Sequence, residues 1–341
     1  MKSSLSAATA ASWLLERLRQ TVRTCWSLFR IMIPVIIAVK ILQELDLIEA
    51  ISRPFGPVMA LVGLPAVFSL AWVSAMFNSM YAGLMVFAQL AQNEPVTAAQ
   101  ATVLATMMLV AHNLLVESAV ARASGPRASV QLVLRIGCAL LLGAMLNQFY
   151  LAADWLQEPA QILFAASAPP PDLFSWALKE LRNLGLIALI ILLLILTMGV
   201  LEATGLTARL NRALAPALRL CGIGPEAAPI TVIGMTLGLA YGGGLIIDQA
   251  RSGKLDKRDV VFGLTLMGLC HSIIEDTMLM VLAGGHLSGI LWGRLVFSMA
   301  ATALLVRLTR ALPEPLFDRI FWHGPAPAAR RAAPAEANQE A

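Results

Sequence analysis

The sequence predicts an all-α polytopic membrane protein made of two inverted repeats. Each repeat is expected to contain three transmembrane helices, one interfacial helix and one re-entrant helical hairpin. The first observation is composition: 58% of the 341 residues are hydrophobic and 13% are charged, whereas roughly a quarter of a soluble domain is charged. The second is the charge-free runs at 54–93, 97–116 and 227–247, since a bilayer span needs about 20 apolar residues. The third is an internal duplication.

The duplication appears when the chain is shifted against itself by 159 residues, or one more in places. His112 then meets His271, and both are followed by a small polar residue and a carboxylate. The other matches are Arg23 with Arg182, Gly63 with Gly222, Tyr81 with Tyr241, Gly83 with Gly243, Gln89 with Gln249, and Arg135 with Arg294. Matches this numerous and in register indicate two copies of one unit.

The duplication divides the chain into five predicted parts. Residues 1–23 lack the apolar core of a signal peptide before their arginines, and we expect a cytoplasmic amphipathic segment. Repeat 1 is expected at 24–152 and repeat 2 at 176–310, with an external acidic and proline-rich linker at 153–175. The tail at 311–341 ends in an alanine- and proline-rich stretch, which predicts a cytoplasmic and largely disordered segment.

The predicted elements follow the same order in both repeats. A long first helix precedes a short amphipathic piece, a broken apolar segment and two further helices. The predicted ranges are 25–46, 47–62, 64–89, 97–121 and 129–152 in repeat 1, and 181–203, 206–220, 228–249, 257–282 and 289–306 in repeat 2. Thr97 and Gln100 fit a capping box, and Asp256 fits an N-cap at the equivalent helix start.

The broken segments decide the predicted topology. Asn78-Ser79 in one copy and the glycine-rich run 241–244 in the other disfavour a continuous helix, so each segment is a straight span or a re-entrant hairpin. Re-entrant hairpins place five basic clusters on one side, as the positive-inside rule requires. These are Arg17/Arg19/Arg23, Arg122/Arg127, Arg209/Arg212/Arg219, Arg251/Lys254/Lys257/Arg258 and Arg307/Arg310. We therefore expect inverted repeats in a bacterial-type cytoplasmic (inner) membrane, with both termini cytoplasmic.

This organisation resembles a known family. Two copies of an interfacial helix, a Gly/Asn-broken hairpin and a following helix with a histidine-carboxylate cluster are similar to the Gate, or nucleoside-recognition, domain. Concentrative nucleoside transporters, the membrane region of ferrous-iron transporter B and spore maturation proteins A and B share that domain. The resemblance covers residues 25–310. The Asn-Glu-Phe-type signature of the nucleoside transporters and the GTPase domain of the iron type are both absent from this sequence.

The resemblance also implies where a solute binds. In the nucleoside transporters the hairpin tips and the following helices hold the solute. Carried over by position, this implies binding roles for Asn78, Ser79, Tyr241, Gly242 and Gly243, and for the two polar clusters.

The two polar clusters lie in otherwise apolar predicted helices. On a continuous helix Asn113 and Glu117 share one face because they are four residues apart. The same spacing pairs His271 with Glu275 and Ser272 with Asp276 in the second copy. An ionisable group costs at least about 2.5–3.5 kcal/mol to insert into a membrane unless it is paired or hydrated. The candidate binding residues are therefore His112, Asn113, Glu117, His271, Ser272, Glu275 and Asp276.

A structural interpretation competes with binding for the carboxylates. In an antiparallel helix pair Glu117 and Arg135 lie at similar depth, and Asp276 and Arg294 repeat the relation in the second copy. Two ion pairs would neutralise buried charge and hold the helices together, so that removing one partner would destabilise the fold.

The histidines favour a cation. His112, His271 and Glu275 are the candidate ligands, because imidazole with carboxylate suits Fe, Zn or Mn and an imidazole also suits proton coupling. No cofactor is expected beyond a transported or coupling cation. The pI near 9.1 is explained by charges that orient the chain in the membrane, so nucleic acid is not an expected partner.

We expect a transporter that moves a small solute by alternating access, with a cation as substrate or coupling species. A nucleoside-like organic solute is one alternative, and a non-transporting membrane partner of the spore-maturation type is another. An enzyme is not expected, because the sequence has no nucleophile–base motif, phosphate loop or HExxH. The expected partners are the lipid bilayer and a small solute or ion, and a homo-oligomer is compatible with this class.

Overall fold

The computed structural model describes residues 7–45, 47–163, 172–238, 246–250, 252–253 and 255–324. These residues fold into helices and form no β-strand, apart from two isolated bridges. The helices of the first copy are α1 Ala7–Glu44, α2 Leu47–Ser52, α3 Gly56–Leu61, α4 Ser69–Phe77, α5 Met80–Leu90, α6 Ala98–Val110, α7 Leu114–Ser124 and α8 Ala128–Ala152. Those that follow are α9 Leu173–Ala203, α10 Leu206–Leu220, α11 Ala227–Leu237, α12 Lys257–Leu269, α13 Glu275–Leu282, α14 Arg294–Arg310 and α15 Glu314–Phe321.

Four of the described helical stretches are long and apolar enough to cross a membrane. They lie at 98–124, 128–152, 173–201 and 288–310, and 98–124 contains both α6 and α7. A fifth arises if 47–61 and 66–77, which meet at a bend of 100°, are counted as one span. By length and composition the protein is therefore a multi-pass membrane protein, and four of the six expected crossings are recognised in the described residues. The bent pair instead coincides with the expected interfacial piece and the first half of the hairpin.

The first helix begins earlier than expected. α1 runs from Ala7 to Glu44 without interruption, so the predicted boundary between residues 23 and 24 falls inside a helix. α1 packs along α9, the first helix of the second copy. The predicted helix starts are confirmed. Thr97 and Gln100 form both bonds of the capping box, at 3.2 and 3.1 Å, and Asp256 accepts from the Arg258 backbone N–H at 2.8 Å.

The first broken segment is a helical hairpin. α4 ends at Asn78, and the Ser79 hydroxyl caps α5 by accepting from the Ala82 backbone N–H at 3.2 Å. α4 and α5 have 9 and 11 residues, so each is about half as long as the roughly 30 Å hydrocarbon core. They lie side by side and are in close contact at Gly83, where a Cβ atom would lie 2.6 Å from Ala75 Cβ.

Gly83→Ala is expected to destabilise the hairpin by about 1–3 kcal/mol. The added Cβ would lie 2.8 Å from the Ala71 carbonyl oxygen, which belongs to the backbone of α4, so the two helices must separate. Gly137→Ala is the matched control, because no atom lies within 4 Å of the added Cβ and alanine favours the helix. The unfolding temperatures of both variants and of the wild type are measured in detergent. Equal unfolding temperatures would contradict the close contact.

The second broken segment is described only in part. α11 ends at Gly238, which has a φ of +91°, and helical structure is described again at 246–250. The predicted break at Tyr241, Gly242 and Gly243 lies outside the described residues. The described break at Gly238 lies slightly before it.

The prediction of continuous helices at 97–121 and 257–282 is wrong. α6 stops before His112 and α7 starts after Asn113, whose φ is +50°. The second copy repeats this break: α12 stops before Cys270, and Ser272 has a φ of +46°. A residue with positive φ cannot continue a right-handed helix. The pairs that were expected to share a helix face, including Asn113 with Glu117, are therefore separated by a break.

The two breaks are held by the preceding segment of their own copy. The Asn113 backbone N–H donates to the Ala75 carbonyl on α4 at 2.9 Å. In the second copy the Ile273 backbone N–H donates to the Met235 carbonyl on α11, also at 2.9 Å. These bonds replace the helical bonds that each break removes.

The expected disorder of 311–341 does not extend to residues 311–324, which contain α15, and residues 325–341 lie outside the described part of the chain. We call residues 314–323 the C-terminal strap. Phe317 is fully buried, and the strap pairs through its backbone with the α7–α8 loop: Arg127 N–H donates to Phe321 O, and His323 N–H donates to Gly125 O, both at 2.8 Å. The strap therefore connects the first copy with the second.

Charged groups fix the other side of the strap. Lys257 pairs with Glu314 and with Asp318, the latter at 2.7 Å, and Arg258 pairs with Glu314 at 3.0 Å. Hydrogen bonds from Lys257 and Arg258 hold the pKa of the Glu314 carboxyl below its ordinary value. Glu314 is therefore ionised at neutral pH and attracts both cations.

The buried apolar side chains form two clusters. One is built mainly from the first copy and α9, and the other from the second copy and the strap. The helix breaks lie where the clusters meet: Leu109 and Val110 before the first break belong to one cluster, and Met267 and Cys270 around the second belong to the other.

Candidate functional site

The two helix breaks place His112 and His271 against each other. Their Nε2 atoms are 3.1 Å apart, and the ring centroids are 4.8 Å apart. The residues are 6% and 4% exposed. Residues from both copies therefore form one buried site.

The orientation of each imidazole ring is fixed by its other nitrogen. His112 Nδ1 donates to the Met108 carbonyl and His271 Nδ1 donates to the Met267 carbonyl, each at 2.9 Å. A carbonyl oxygen only accepts, so Nδ1 carries the hydrogen and Nε2 of the neutral ring carries a lone pair. Two lone pairs at 3.1 Å repel each other, and a proton or a metal cation between them removes the repulsion.

Two carboxylates surround the histidine pair. Glu117 Oε1 lies 3.4 Å from His271 Nε2 and 3.8 Å from His112 Nε2. Asp276 Oδ2 lies 4.0 Å from His112 Nε2. Both carboxylate residues are 7% exposed. The ligand atoms of His112, Glu117 and His271 all lie within 4.8 Å of one another, close enough for one metal ion.

Arg135 holds the first break together. Its Nε donates to the Val110 carbonyl at 2.9 Å and its Nη2 to the His112 carbonyl at 3.0 Å, while Nη1 pairs with Glu117. The carbonyls at a helix C-terminus lack intrahelical partners and carry partial negative charge, which a guanidinium satisfies. The expected contact between Glu117 and Arg135 is thus present, together with two backbone bonds that were not expected.

Arg294 makes the same backbone bonds in the second copy. Its Nε donates to the Leu269 carbonyl at 3.1 Å and its Nη2 to the His271 carbonyl at 2.6 Å. The expected ion pair with Asp276 does not form: within the described part of the chain the two side chains make no contact under 4.0 Å, and Asp276 Oδ2 has no hydrogen-bond partner. Arg294 directly follows a π-helical stretch, Ser288–Gly293, which changes the rotation of the side chains that follow.

Glu275 does not join the histidines, although the sequence suggested it as a metal ligand. It is half-buried and interacts with the Tyr81 hydroxyl of the first hairpin. The break after His271 turns Glu275 away and brings Glu117 from the other copy to that position. The sequence does not show this arrangement, because its apolar pattern predicts continuous helices, in which Glu275 would stay beside His271.

The remaining candidate residues shape the backbone. Asn113 and Ser272 are half-buried and adopt the positive φ of the two breaks. Asn78 ends α4 and Ser79 caps α5 at the hairpin tip. Asparagine tolerates positive φ better than most residues, so Asn113 was a signal of a break. Ser272 gave no such signal.

A small cavity adjoins the site. Its volume is about 20 Å³, and its lining includes Glu117, Ser118, Arg135 and Gly268. A single water needs at least about 10–15 Å³. Beside the cavity, Gln131 donates to the Thr265 hydroxyl at 2.9 Å and joins α8 to α12. The cavity thus has room for a water molecule beside Glu117.

Comparisons with known proteins identify the family of this chain. A family model described as Gate, nucleoside recognition, matches residues 25–127, which correspond to most of the first copy. The uncharacterized membrane protein YvoD of Bacillus subtilis (strain 168) is 31% identical over 268 residues, covering 77% of this chain and 84% of YvoD. No solved structure matches this chain. The chain belongs to the Gate (nucleoside recognition) family of membrane proteins, as YvoD does.

Proposed function

We propose that this protein is a transporter that moves a small solute by alternating access between inverted Gate-like repeats, with a cation as the transported or coupled species. The observation that carries the proposal is the facing pair of Nε2 atoms of His112 and His271, 3.1 Å apart inside the protein. Both Nδ1 atoms donate to carbonyls, so both Nε2 lone pairs are available to a cation.

The position of the site between two copies supports alternating access. Transporters with inverted repeats bind their substrate where broken helices of the two repeats meet. Here each copy supplies one broken helix and one histidine. A movement of one copy against the other would separate the histidines and open the site. The hairpin of two half-length helices and the distribution of basic clusters support the inverted arrangement.

The dimensions of the site favour a cation over a nucleoside. Three ligand atoms lie within 4.8 Å of one another, and the adjoining cavity has a volume of about 20 Å³. This space holds a metal ion or a water molecule. Imidazole with carboxylate is a ligand set for Zn²⁺, Fe²⁺ or Mn²⁺ rather than for Mg²⁺ or Ca²⁺.

The test is flux into proteoliposomes that contain the full-length protein. Uptake of Zn²⁺, Mn²⁺ and Fe²⁺ is measured directly, and proton movement is followed with an internal pH dye. His112→Ala and His271→Ala are each expected to lower cation flux by about 10–100-fold or more, since even groups that only orient a ligand have effects of that size. His286→Ala is the matched control, because His286 is exposed and bonds to Ser288.

Two results would contradict the proposal. Wild-type protein that moves neither protons nor any of the metals is not a cation transporter. Nucleoside uptake that His271→Ala leaves unchanged would favour the organic solute and place its site elsewhere.

A further inference from the structure

Asp276 differs from every other charged group of the site. Its Oδ2 atom is buried and has no hydrogen-bond partner within the described part of the chain, although the residue is only 7% exposed. An unpaired carboxylate oxygen in a membrane protein is costly and marks a functional position by default. The sequence predicts Arg294 as the partner of Asp276, but Arg294 donates to the Leu269 and His271 carbonyls instead.

The other three charged or ligating side chains are held from behind. Met108 and Met267 carbonyls orient His112 and His271, and Arg135 binds Oε2 of Glu117 while Oε1 faces the histidines. Metal ligands are commonly fixed in this way by a group on their far side. The inward atoms of all three remain free for a shared ion.

The distances among three of these ligand atoms fit a tetrahedral site around one ion, with Asp276 next to its open corner. In a tetrahedron with metal–ligand bonds of about 2.0–2.1 Å, neighbouring ligand atoms are separated by about 3.3–3.4 Å. The separations from Nε2 to Nε2 and from Oε1 to the two Nε2 atoms are 3.1, 3.4 and 3.8 Å. Asp276 Oδ2 lies 4.0 Å from His112 Nε2, outside the three ligand atoms that already lie within 4.8 Å of one another, so it has to move inward to take the fourth position.

Resting on the proposed function, we infer that Asp276 is the fourth ligand of a tetrahedral site of two histidines and two carboxylates, His112, His271, Glu117 and Asp276. Such a site takes a borderline divalent cation of the Zn²⁺ class. Two carboxylates compensate the charge of the ion, and Arg135 neutralises the outer oxygen of Glu117. Asp276 Oδ2 gains in the ion the partner that it otherwise lacks.

The test uses full-length protein in detergent with Zn²⁺ and with Co²⁺ as a spectroscopic probe. Asp276→Asn preserves the side-chain shape and is expected to weaken Zn²⁺ binding by about 10–100-fold and to remove the intense visible bands of tetrahedral Co²⁺. Glu180→Gln is the matched control, because Glu180 is a carboxylate on α9 that is 6% exposed and accepts from Asn183. Its Zn²⁺ affinity should equal that of the wild type.

A second variant gives a positive signal. Asp276→Cys places a thiol at the same position, and a thiolate ligand adds a near-ultraviolet charge-transfer band to bound Co²⁺. The wild type, which carries Cys270 next to the site, supplies the background spectrum.

The outcomes distinguish the assignment of Asp276 as a ligand from the existence of the cation site itself. If Asp276→Asn binds Zn²⁺ like the wild type while His271→Ala does not, or if Asp276→Cys adds no band, the assignment of Asp276 is wrong and the cation site stands. The same holds if Glu275→Gln weakens binding and Asp276→Asn does not. If the wild type binds neither Zn²⁺ nor Co²⁺, the metal interpretation of the whole site fails with it.

Discussion

Arg135→Gln is expected to lower the free energy of unfolding by about 3–5 kcal/mol, the cost of removing one partner of a buried ion pair. Arg135 is 4% exposed and bonds two carbonyls at the first helix break besides Glu117. The variant leaves the Val110 and His112 carbonyls and the Glu117 carboxylate without the guanidinium. Thermal unfolding in detergent, followed by tryptophan fluorescence, measures the loss.

The comparison with Glu117 separates the ion pair from the carbonyl bonds. Glu117→Gln removes one charge but leaves Arg135 bound to both carbonyls, so it is expected to cost less than Arg135→Gln. The double variant should be more stable than Arg135→Gln, because it carries no unpaired Glu117 charge, but less stable than the wild type, because neutralising the pair does not restore the carbonyl bonds. Arg122→Gln on exposed α7 surface is the control. A double variant as stable as the wild type would show that the carbonyl bonds contribute nothing.

Phe317→Ala is expected to release the C-terminal strap, since truncating a fully buried phenylalanine costs about 3–5 kcal/mol. The Phe317 ring lies 6.3 Å from the Phe262 ring and 5.2 Å from the Phe321 ring, and the Arg258 guanidinium lies 4.2 Å from its centroid. The strap is also held by two backbone hydrogen bonds to the α7–α8 loop and by the ion pairs of Lys257 and Arg258, which lie near the surface, so the buried ring is its main apolar anchor in the described structure. The stability lost in Phe317→Ala cannot exceed the free energy with which the strap docks, because the rest of the fold stays intact when the strap is released.

Trypsin provides the measurement, because Arg319 lies within the strap and becomes cleavable once α15 undocks. Cleavage of Phe317→Ala should be much faster than that of the wild type. Leu316→Ala is the matched control, since Leu316 is the preceding residue of the same helix and is 40% exposed. Equal cleavage of all three proteins would mean that Phe317 does not hold the strap.

Much of the architecture could be predicted from the sequence by itself. The charge-free runs and low charged fraction indicated a multi-pass membrane protein, and the caps at Thr97 and Asp256 marked two helix starts correctly. The duplication identified His112 and His271 as equivalent residues. The 18-residue spacing of Glu117 and Arg135 predicted their contact, but the same spacing wrongly predicted an ion pair between Asp276 and Arg294 in the described structure. These features depend on composition, on local hydrogen bonding or on helix geometry, all of which can be derived from neighbouring residues.

The site itself was decided by the tertiary structure. Apolar periodicity predicted unbroken helices through both histidines, because a local pattern does not show where a carbonyl finds its hydrogen-bond donor. The donors come from Arg135 and Arg294. Each binds two carbonyls of its own copy, one 25 and one 23 residues earlier in the chain. These distant guanidinium groups satisfy carbonyls that the breaks leave open, and the breaks place side by side two imidazoles that are 159 residues apart in the chain.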